Sequence, residues 1–449
     1  MVRRTLWKKA FQDIRKSKAQ FISIFAMATL AMGILTGLDS LYKTVEVHSA
    51  NMYEATNLSD LWITVQNPSE KDIWQIQRIA GVSKVEKRLS IDAETNLPGK
   101  PTLHIYALDE RSTLDQPDIK EGRFGKGGGA LLDSTFAEAH GLKIGDLVSV
   151  KQNDSWPTLR IEGLALSSEQ IFSLKNSASM SPDPDVYGFI MVRPSALEGI
   201  YGQAVFNQIS IKTAADADLT YIVRQADYIV GDRLIGSIAR DDSMSASNVI
   251  SRAQQFKTLS NVFPILFFLV AALITQSTMV RMLQNQRPQI GLLKSMGYVK
   301  RTVLWHYTSY GILVGLAGAA AGLLLGKEFF ARILLPQINL IFPDYDIYVY
   351  WGHFLLGSVL LLACTGGVSF FTCRRMLNDS PAALLRDEPQ KTGEHILLER
   401  VSVFWDRMKF SSKLIARNTF KNKSRIIMST IGVMGCTGVI VAALSINHM

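Results

Sequence analysis

Charged residues are scarce in this chain of 449 residues: they form 19% of it, whereas hydrophobic residues form 47%. Soluble domains usually carry about 25% charged residues, so the composition counts against a disordered or purely soluble protein. Cysteine is also rare. The three cysteines, Cys364, Cys373 and Cys436, lie inside or at the end of apolar runs, which excludes a disulfide framework elsewhere in the chain.

Sequence motifs for catalysis are missing as well. No Gly-x-x-x-x-Gly-Lys-Ser/Thr loop occurs, so we do not expect this chain to hydrolyse nucleotide by itself. The seven histidines have no partners at the spacing of a zinc site. The basic clusters lack interleaved aromatic residues, which argues against nucleic acid as a partner. We therefore predict no enzyme active site, and no metal or cofactor bound by this chain.

Long apolar runs are abundant. Five of them reach the length of a membrane span: 21–38, 262–280, 303–325, 354–371 and 426–444. A helix of about 18 residues spans roughly 27 Å, which is close to the hydrocarbon thickness of a bilayer. Lysines and arginines crowd beside these runs, and five crossings with a cytoplasmic amino terminus place every basic cluster on the cytoplasmic side. The sequence thus predicts a multi-pass protein surrounded by membrane lipids.

Segment 41–250, between the first and second runs, contains no stretch able to cross. It holds 20 lysines and arginines against 28 aspartates and glutamates, a net charge of −8, whereas the rest of the chain carries +17. Apolar residues alternate at 103–107 and around Arg160, which predicts strands, and isoleucines at spacing three in 72–79 predict a short helix. We expect a large extracytoplasmic α+β domain.

Helical stripes connect this domain to the membrane runs. They consist of Leu41 and Val45 after the first run, and of Val249, Ala253 and Phe256 before the second. If the two stripes pack together, they form a stalk that transmits movement more stiffly than a flexible linker does. The alternative is that each stripe packs against the external domain, and the sequence leaves both readings open.

A basic stretch precedes both the first and the fifth run, and Lys16 to Phe21 overlays on Lys421 to Ile426. Each stretch predicts either an elbow helix in the inner leaflet or simple positive-inside anchoring. If the fifth run begins a second copy of the first, that copy is unfinished at Met449. A second half or a second protomer is then an expected partner; the alternative is that the overlay is coincidental.

Segment 284–300, between the second and third runs, is the most informative. Pro288 suits the first turn of a helix and Gly297 suits its end. Apolar residues flanked by basic ones recur there at spacing three: Ile290, Leu293 and Met296. Such an edge packs on its own protein or on lipid, or it docks into a groove on a partner.

The sequence from Arg287 to Lys300 resembles the signature of the FtsX/MacB-type permeases of ABC transporters. The following run is similar to the small-residue third helix of that family and contains Gly318, Gly322 and Gly326. Their four-residue spacing also allows close helix contact on physical grounds alone. Segment 121–146 is similar to a pattern in the family's extracytoplasmic domain, and segment 381–386 resembles its cytoplasmic exit.

This resemblance implies a permease in a bacterial cytoplasmic membrane, with a separate ABC ATPase subunit that binds ATP and magnesium. The residues it implies for ATPase coupling are Arg287, Gln289, Ile290, Leu293, Lys294 and Gly297. Gln289 stands where the family commonly has glutamate, so apolar docking through Ile290 and Leu293 must bear more of the coupling. The implied cargo is lipid, lipoprotein or amphipathic peptide. The alternative function is ATPase-driven signalling by the same architecture, through peptide sensing or activation of an envelope hydrolase.

The expected fold is membrane α-helical, with five transmembrane helices and a large extracytoplasmic α+β domain in a MacB/FtsX-like architecture. The predicted order is: elbow helix 1–20, first span 21–40, external domain with stalks 41–250, stalk and second span 251–283, coupling helix 284–300, third span 301–326, external loop 327–353, fourth span 354–373, cytoplasmic linker with second elbow 374–425, and fifth span 426–445.

Overall fold

The structure is a computed structural model. It describes residues 18–125, 128–152, 154–196, 205–343 and 346–385, and six isolated positions: Gln12, Arg15, Lys413, Thr430, Met434 and Thr437. The first elbow helix lies almost entirely outside the described residues. The second elbow and the fifth span do so as well, apart from isolated positions. The chain divides into two compact units, which are Met1–Ser40 with Phe256–Arg332 and Val349–Met449, and Leu41–Gln255 with Ile333–Tyr348.

The longer α-helices with described bounds are, in chain order, α1 (Lys18–Ala55), α2 (Glu70–Gln77), α3 (Ser134–His140), α4 (Leu219–Val230), α5 (Met244–Asn285), α6 (Arg287–Ser295), α7 (Lys300–Leu324), α8 (Trp351–Leu362), α9 (Val368–Met376) and α10 (Pro381–Leu385). π-helical turns at Leu325–Ala331 and Ala363–Gly367 extend α7 and join α8 to α9. Four helical stretches in the described part of the chain are long and apolar enough to cross a membrane: Lys18–Ala55, Met244–Asn285, Lys300–Ile338 and Trp351–Met376.

One large sheet organises the second unit. Its strands are β1 (Leu61–Val65), β2 (Val82–Glu94), β3 (Thr102–Ala107), β4 (Asp118–Gly122), β5 (Gly129–Asp133), β6 (Leu147–Ser149), β7 (Thr158–Leu166), β8 (Tyr187–Val192), β9 (Gln208–Thr213) and β10 (Leu234–Ala239). The order is β10-β1-β9-β2-β3-β8-β5-β7-β4, and β6 pairs with β7. The pairs β3–β8 and β5–β7 are parallel, and the others are antiparallel.

Strand β2 joins two halves of this sheet. Its first part, Val82 to Arg88, pairs with β9, and its second part, Leu89 to Glu94, pairs with β3. Each half has its own core. One core packs β1, β2 and β9 against α2 and α4, and the other packs β3, β5, β7 and β8 against α3. The expected α+β domain is therefore present.

Local signals placed several of these elements correctly. The alternation at 103–107 falls in β3, and the stretch 72–79 overlaps α2. Helix α2 begins with a capping box, in which Ser69 accepts a hydrogen bond from the Asp72 backbone N–H and Asp72 accepts one from that of Ser69. The Arg233 guanidinium also hydrogen-bonds Asp72, and this lowers the pKa of the Asp72 carboxyl to about 2.

Candidate functional site

The short helix α6 lies between two of the long apolar helices. Pro288 occupies its first turn, where a missing backbone N–H costs no helical hydrogen bond. The helix ends where Gly297 adopts a positive φ of 86°, a conformation that glycine reaches without steric cost. The backbone N–H of Gly297 donates to the Lys294 carbonyl at 3.2 Å, which closes the last turn. Proline and glycine thus define both ends of the helix.

One face of α6 is packed inside the chain. Ile290 is fully buried in a cluster that includes Leu283, Tyr307 and Leu384. Next to it, a Cβ built at Gly291 lies 3.0 Å from Leu385 Cγ and 3.2 Å from Leu384 Cβ. Glycine at this position leaves room for α10 to approach α6 closely. Ile290 and Gly291 therefore form the joint between α6 and α10.

Basic side chains clamp this joint from the outside. Lys294 donates through Nζ to the backbone carbonyls of Leu377 at 3.2 Å and Asp379 at 2.5 Å. Arg287 forms an ion pair with the Asp379 carboxylate at 3.7 Å. Carbonyls at the end of a helix lack helical partners, so cations beside them are stabilising. The clamp ties α6 to the segment that connects α9 and α10.

The opposite side of α6 is exposed and apolar. Leu292 is 54% exposed, Met296 is 60% exposed and Val299, just beyond the helix, is 66% exposed. We call these three residues the exposed apolar face. Leu292 and Met296 stand four residues apart, which places them on one stripe of the helix, and Val299 follows after the turn at Gly297. Gln289 is also exposed.

The six residues predicted for coupling all lie in α6 or at its end, but they do not share one surface. Ile290 is in the core, and Leu293 is partly buried against the same cluster. For these two residues the structure follows the reading in which the apolar edge packs on its own protein. The sequence reasoning missed Leu292 and Val299, because it followed spacing three rather than the spacing of four that joins Leu292 to Met296.

The glycines predicted for helix packing lie against α1. A Cβ built at Gly318 lies 2.5 Å from Ala28 Cβ, and one at Gly322 lies 2.4 Å from Met32 Cβ. A Cβ at Gly326 lies 2.7 Å from the backbone carbonyl oxygen of Gly33. These separations are too short for any side chain, so α7 and α1 approach each other at backbone distance. Each of the three glycines is needed for that approach.

The residues predicted for the stalks face inward. Leu41 and Val45 are fully buried in α1, Val249 and Ala253 are buried in α5, and Phe256 is partly buried. Helix α1 is unbroken from Lys18 to Ala55, well beyond the first predicted span. The packing of these α1 and α5 residues against each other in one stalk stays a prediction.

A buried polar network occupies the point where β2 changes partner. Arg88 is 3% exposed and donates to both carboxylate oxygens of Glu169, with the Nη2–Oε2 distance at 2.7 Å. Its Nη1 lies 3.0 Å from Asp115 Oδ2, and its Nε donates to Gln208 Oε1 at 2.7 Å. Asp115 also accepts hydrogen bonds, including 2.8 Å from the Ser210 hydroxyl. The network therefore joins both halves of the sheet.

Burial and charge act against each other in this network. Burial raises the pKa of Glu169, and the Arg88 guanidinium opposes that rise. Burial lowers the pKa of Arg88, but Glu169 and Asp115 outweigh it and raise the pKa overall, so the guanidinium stays charged. A buried ion pair with satisfied hydrogen bonds is costly to break from one side. No sequence signal singled out Arg88.

Among the described residues, no group of three or more histidine, cysteine, aspartate or glutamate side chains could hold a metal ion. The second unit, which holds the large sheet, contains a cavity of about 440 Å³ whose charged lining residues are Asp60, Lys212, Arg240 and Asp241. Asp60 pairs there with Arg240 at 2.8 Å and with Lys212 at 3.5 Å. These charges satisfy each other.

The four long apolar helices in the described part of the chain are typical of a multi-pass membrane protein. Residues 261–381 match the family model described as FtsX-like permease C-terminal. This segment is thus an FtsX-like permease domain, and the family resemblance seen in the sequence is confirmed there. The matched segment contains most of α5, all of α6 to α9 and the first residue of α10. No curated protein matches the chain.

Two solved structures are similar to part of the chain. One is the extracellular domain of the noncanonic ABC-type transporter YknZ from Gram-positive bacteria, at 10% identity and a TM-score of 0.28, covering 40% of this chain and 100% of that one. The other is the periplasmic region of MacB from Actinobacillus actinomycetemcomitans, at 13% identity and a TM-score of 0.27, covering 40% and 88%. Neither score is high enough to transfer a role to this chain.

Proposed function

We propose that this chain is the permease subunit of an ABC transporter and that a separate ATPase subunit, which binds ATP and magnesium, drives it. The observation that carries the proposal is the exposed apolar face Leu292, Met296 and Val299 beside a clamped joint. Basic residues flank α6, and the positive-inside rule puts such a loop on the cytoplasmic side. An exposed apolar surface of this kind is one that a groove on a partner can cover.

The joint supplies a route for movement. Force applied to α6 is passed to α10 and to the end of α9 through Gly291 and the Lys294 clamp. From there α7 carries it to α1, because Gly318, Gly322 and Gly326 leave no space between those helices. Helix α1 continues unbroken to Ala55, so we propose that its far end delivers the movement to the extracytoplasmic domain.

The proposed cargo is lipid, lipoprotein or amphipathic peptide, handled outside the bilayer centre. Few polar side chains lie in the apolar runs, and Gln276 is the clearest of them. We propose a bacterial cytoplasmic membrane as the location, with a cytoplasmic amino terminus, and a second permease half or protomer as a further partner. The face of α6 that meets the ATPase is revised here from Ile290 and Leu293 to the exposed apolar face.

The experiment reconstitutes the full chain with the ATPase subunit that co-purifies with it from the native membrane, and measures ATP hydrolysis. Met296→Asp is expected to reduce hydrolysis to the rate of the ATPase alone, because a charge in the docking groove cannot be solvated. The matched control is Met180→Asp, since Met180 is 81% exposed in the second unit. Unchanged stimulation in the Met296 variant, at equal membrane content, overturns the docking assignment.

The alternative is signalling by the same architecture, and the same coupling would serve it. The two functions differ in what happens outside the membrane. Proteoliposomes containing the reconstituted pair, supplied with ATP and a fluorescent lipid or amphipathic peptide, report net movement of cargo for a transporter. Ligand-dependent ATP hydrolysis without movement of any cargo would instead assign the signalling function.

A further inference from the structure

A cavity of about 470 Å³ lies between the ends of α5 and α9. Its apolar walls are formed by Val280 and Leu283 on one side and by Phe371 and Met376 on the other. Phe371 is 68% exposed and Val280 is 38% exposed, so the apolar side of the cavity is open. Of the residues that line the cavity, only Arg287 is among those implied for ATPase coupling, and none belongs to the exposed apolar face.

The cavity is positioned at one boundary of the membrane. Helix α9 ends at Met376 with Arg374 and Arg375 in its last turn, directly after an apolar stretch able to cross a bilayer. Helix α5 ends at Asn285, and its last turns line the same cavity through Val280, Leu283 and Gln284. Apolar side chains followed by arginines mark the level where hydrocarbon gives way to lipid headgroups. This placement holds whichever side of the membrane the boundary faces.

The polar end of the cavity carries a net positive charge. Two guanidinium groups, from Arg287 and Arg375, line it together with one carboxylate, from Asp379. Asp379 pairs with Arg287 at 3.7 Å, and Arg375 is exposed. Guanidinium groups bind phosphate oxygens through paired hydrogen bonds. An excess positive charge favours a headgroup with a net negative charge over a zwitterionic one.

We propose that this cavity binds one anionic phospholipid, with the phosphate at Arg375 and an acyl chain along Val280 and Phe371. Basic pockets between membrane helices are sites of this kind. A soluble anion would use the arginines but would leave the apolar walls exposed to water. The lipid would link the end of α5 to that of α9 beside the α6 joint, so its presence is expected to stiffen that joint.

The test uses the full-length chain without any ATPase, so its outcome is independent of the proposed coupling. Native mass spectrometry counts the phosphatidylglycerol and phosphatidylcholine molecules retained when the two lipids compete at equal concentration. We expect a preference for phosphatidylglycerol that Arg375→Gln reduces about fivefold, since one basic residue near an anionic headgroup is worth roughly 1 kcal/mol. Arg374→Gln, which makes the same charge change outside the cavity lining, is expected to keep the preference.

Three results would overturn the proposal: equal retention of the two lipids by the unaltered chain, equal loss in both arginine variants, or displacement of phosphatidylglycerol by millimolar inorganic phosphate. A second variant tests the contribution of the acyl chain separately from that of the headgroup. Phe371→Ser removes apolar wall and leaves both arginines, so it is expected to lower retention of both lipids. A photocrosslinker at position 371 that captures a peptide of the same chain, and no lipid, would assign the cavity to that segment instead.

Discussion

Gly291 lies so close to Leu384 that a Cβ at position 291 would be 3.2 Å from the Leu384 Cβ. The contact joins the short helix between two membrane helices to a segment that follows the fourth span. It is held from outside by Lys294, which donates to two carbonyls of that segment. We propose that a push on α6 reaches the rest of the membrane unit through this joint.

Gly291→Leu is expected to open this joint. The added side chain must displace Leu384 and Leu385, so α6 loses its support while its exposed apolar face stays intact. We expect stimulated ATP hydrolysis to fall about tenfold or more while co-purification of the ATPase is retained. Gly352→Leu is the control, because Gly352 is exposed and a Cβ there meets only Tyr350, at 3.7 Å. Equal stimulation in the two variants would argue against a load-transmitting joint.

The α1–α7 contact makes a prediction about stability. Gly322→Ala places a methyl group 2.4 Å from Met32 Cβ and 2.9 Å from the Thr29 carbonyl oxygen, so the helices must separate. Overpacking of this kind costs about 1–3 kcal/mol. Gly367→Ala is the matched control, since no atom lies within 4 Å of a Cβ at that position. The midpoint of thermal unfolding in detergent should fall for Gly322→Ala and stay or rise for Gly367→Ala.

Removal of the buried guanidinium should destabilise the external domain. Arg88→Met leaves Glu169 and Asp115 buried without their cation, and breaking a buried pair from one side costs about 3–5 kcal/mol. Lys87→Met is the control in the same strand, because Lys87 pairs with exposed Glu70 and such pairs contribute about 0–1 kcal/mol. Hydrogen exchange in β2 and β9 measures the difference. Equal protection in the two variants would refute a structural role for the network.

Asp133 makes stability of the external domain depend on pH. Its carboxylate caps α3 by accepting from the Thr135 backbone N–H at 2.9 Å, yet it is almost fully buried. Burial raises the pKa of Asp133 from 3.8 to about 6. The folded state thus favours the protonated form, so this contribution to stability is present below pH 4 and is lost as pH rises through 6.

Asp133→Asn removes that titration and keeps a capping side chain. Relative to this variant, the unaltered chain is expected to lose up to about 3 kcal/mol of unfolding free energy between pH 4 and pH 7. Hydrogen exchange of β5, corrected for the intrinsic effect of pH on exchange, checks the difference. A stability difference that stays constant over this range would contradict the raised pKa.

Elements with local signals could be predicted from the sequence. Pro288 and Gly297 mark the ends of α6. Proline is tolerated in the first turn of a helix, and glycine adopts the left-handed backbone conformation that ends one. Alternating apolar residues predicted β3, and isoleucines at spacing three predicted α2, because an element that buries one face repeats its apolar residues periodically. The family resemblance added the identity of the membrane segment, which periodicity alone does not supply.

The faces that these elements bury could not be predicted in the same way. Ile290 is buried and Leu292 exposed because Leu384 and Leu385 arrive from a later segment, and nothing in 284–300 encodes that contact. Arg88 stands in a strand beside charged Glu86 and Lys87, a pattern that resembles a solvated edge. Its burial depends on the point where β2 changes partner, and that point is set by pairing with distant strands.

Photocrosslinking from position 296 tests whether the exposed apolar face contacts the ATPase. Benzoylphenylalanine replaces Met296 in the full chain, which is assembled with its ATPase in membranes and irradiated; the same replacement at Met180 is the control. We expect an adduct with the combined mass of this chain and the ATPase from position 296 and none from position 180. An ATPase adduct that is absent from position 296, or equally abundant from both positions, would contradict it.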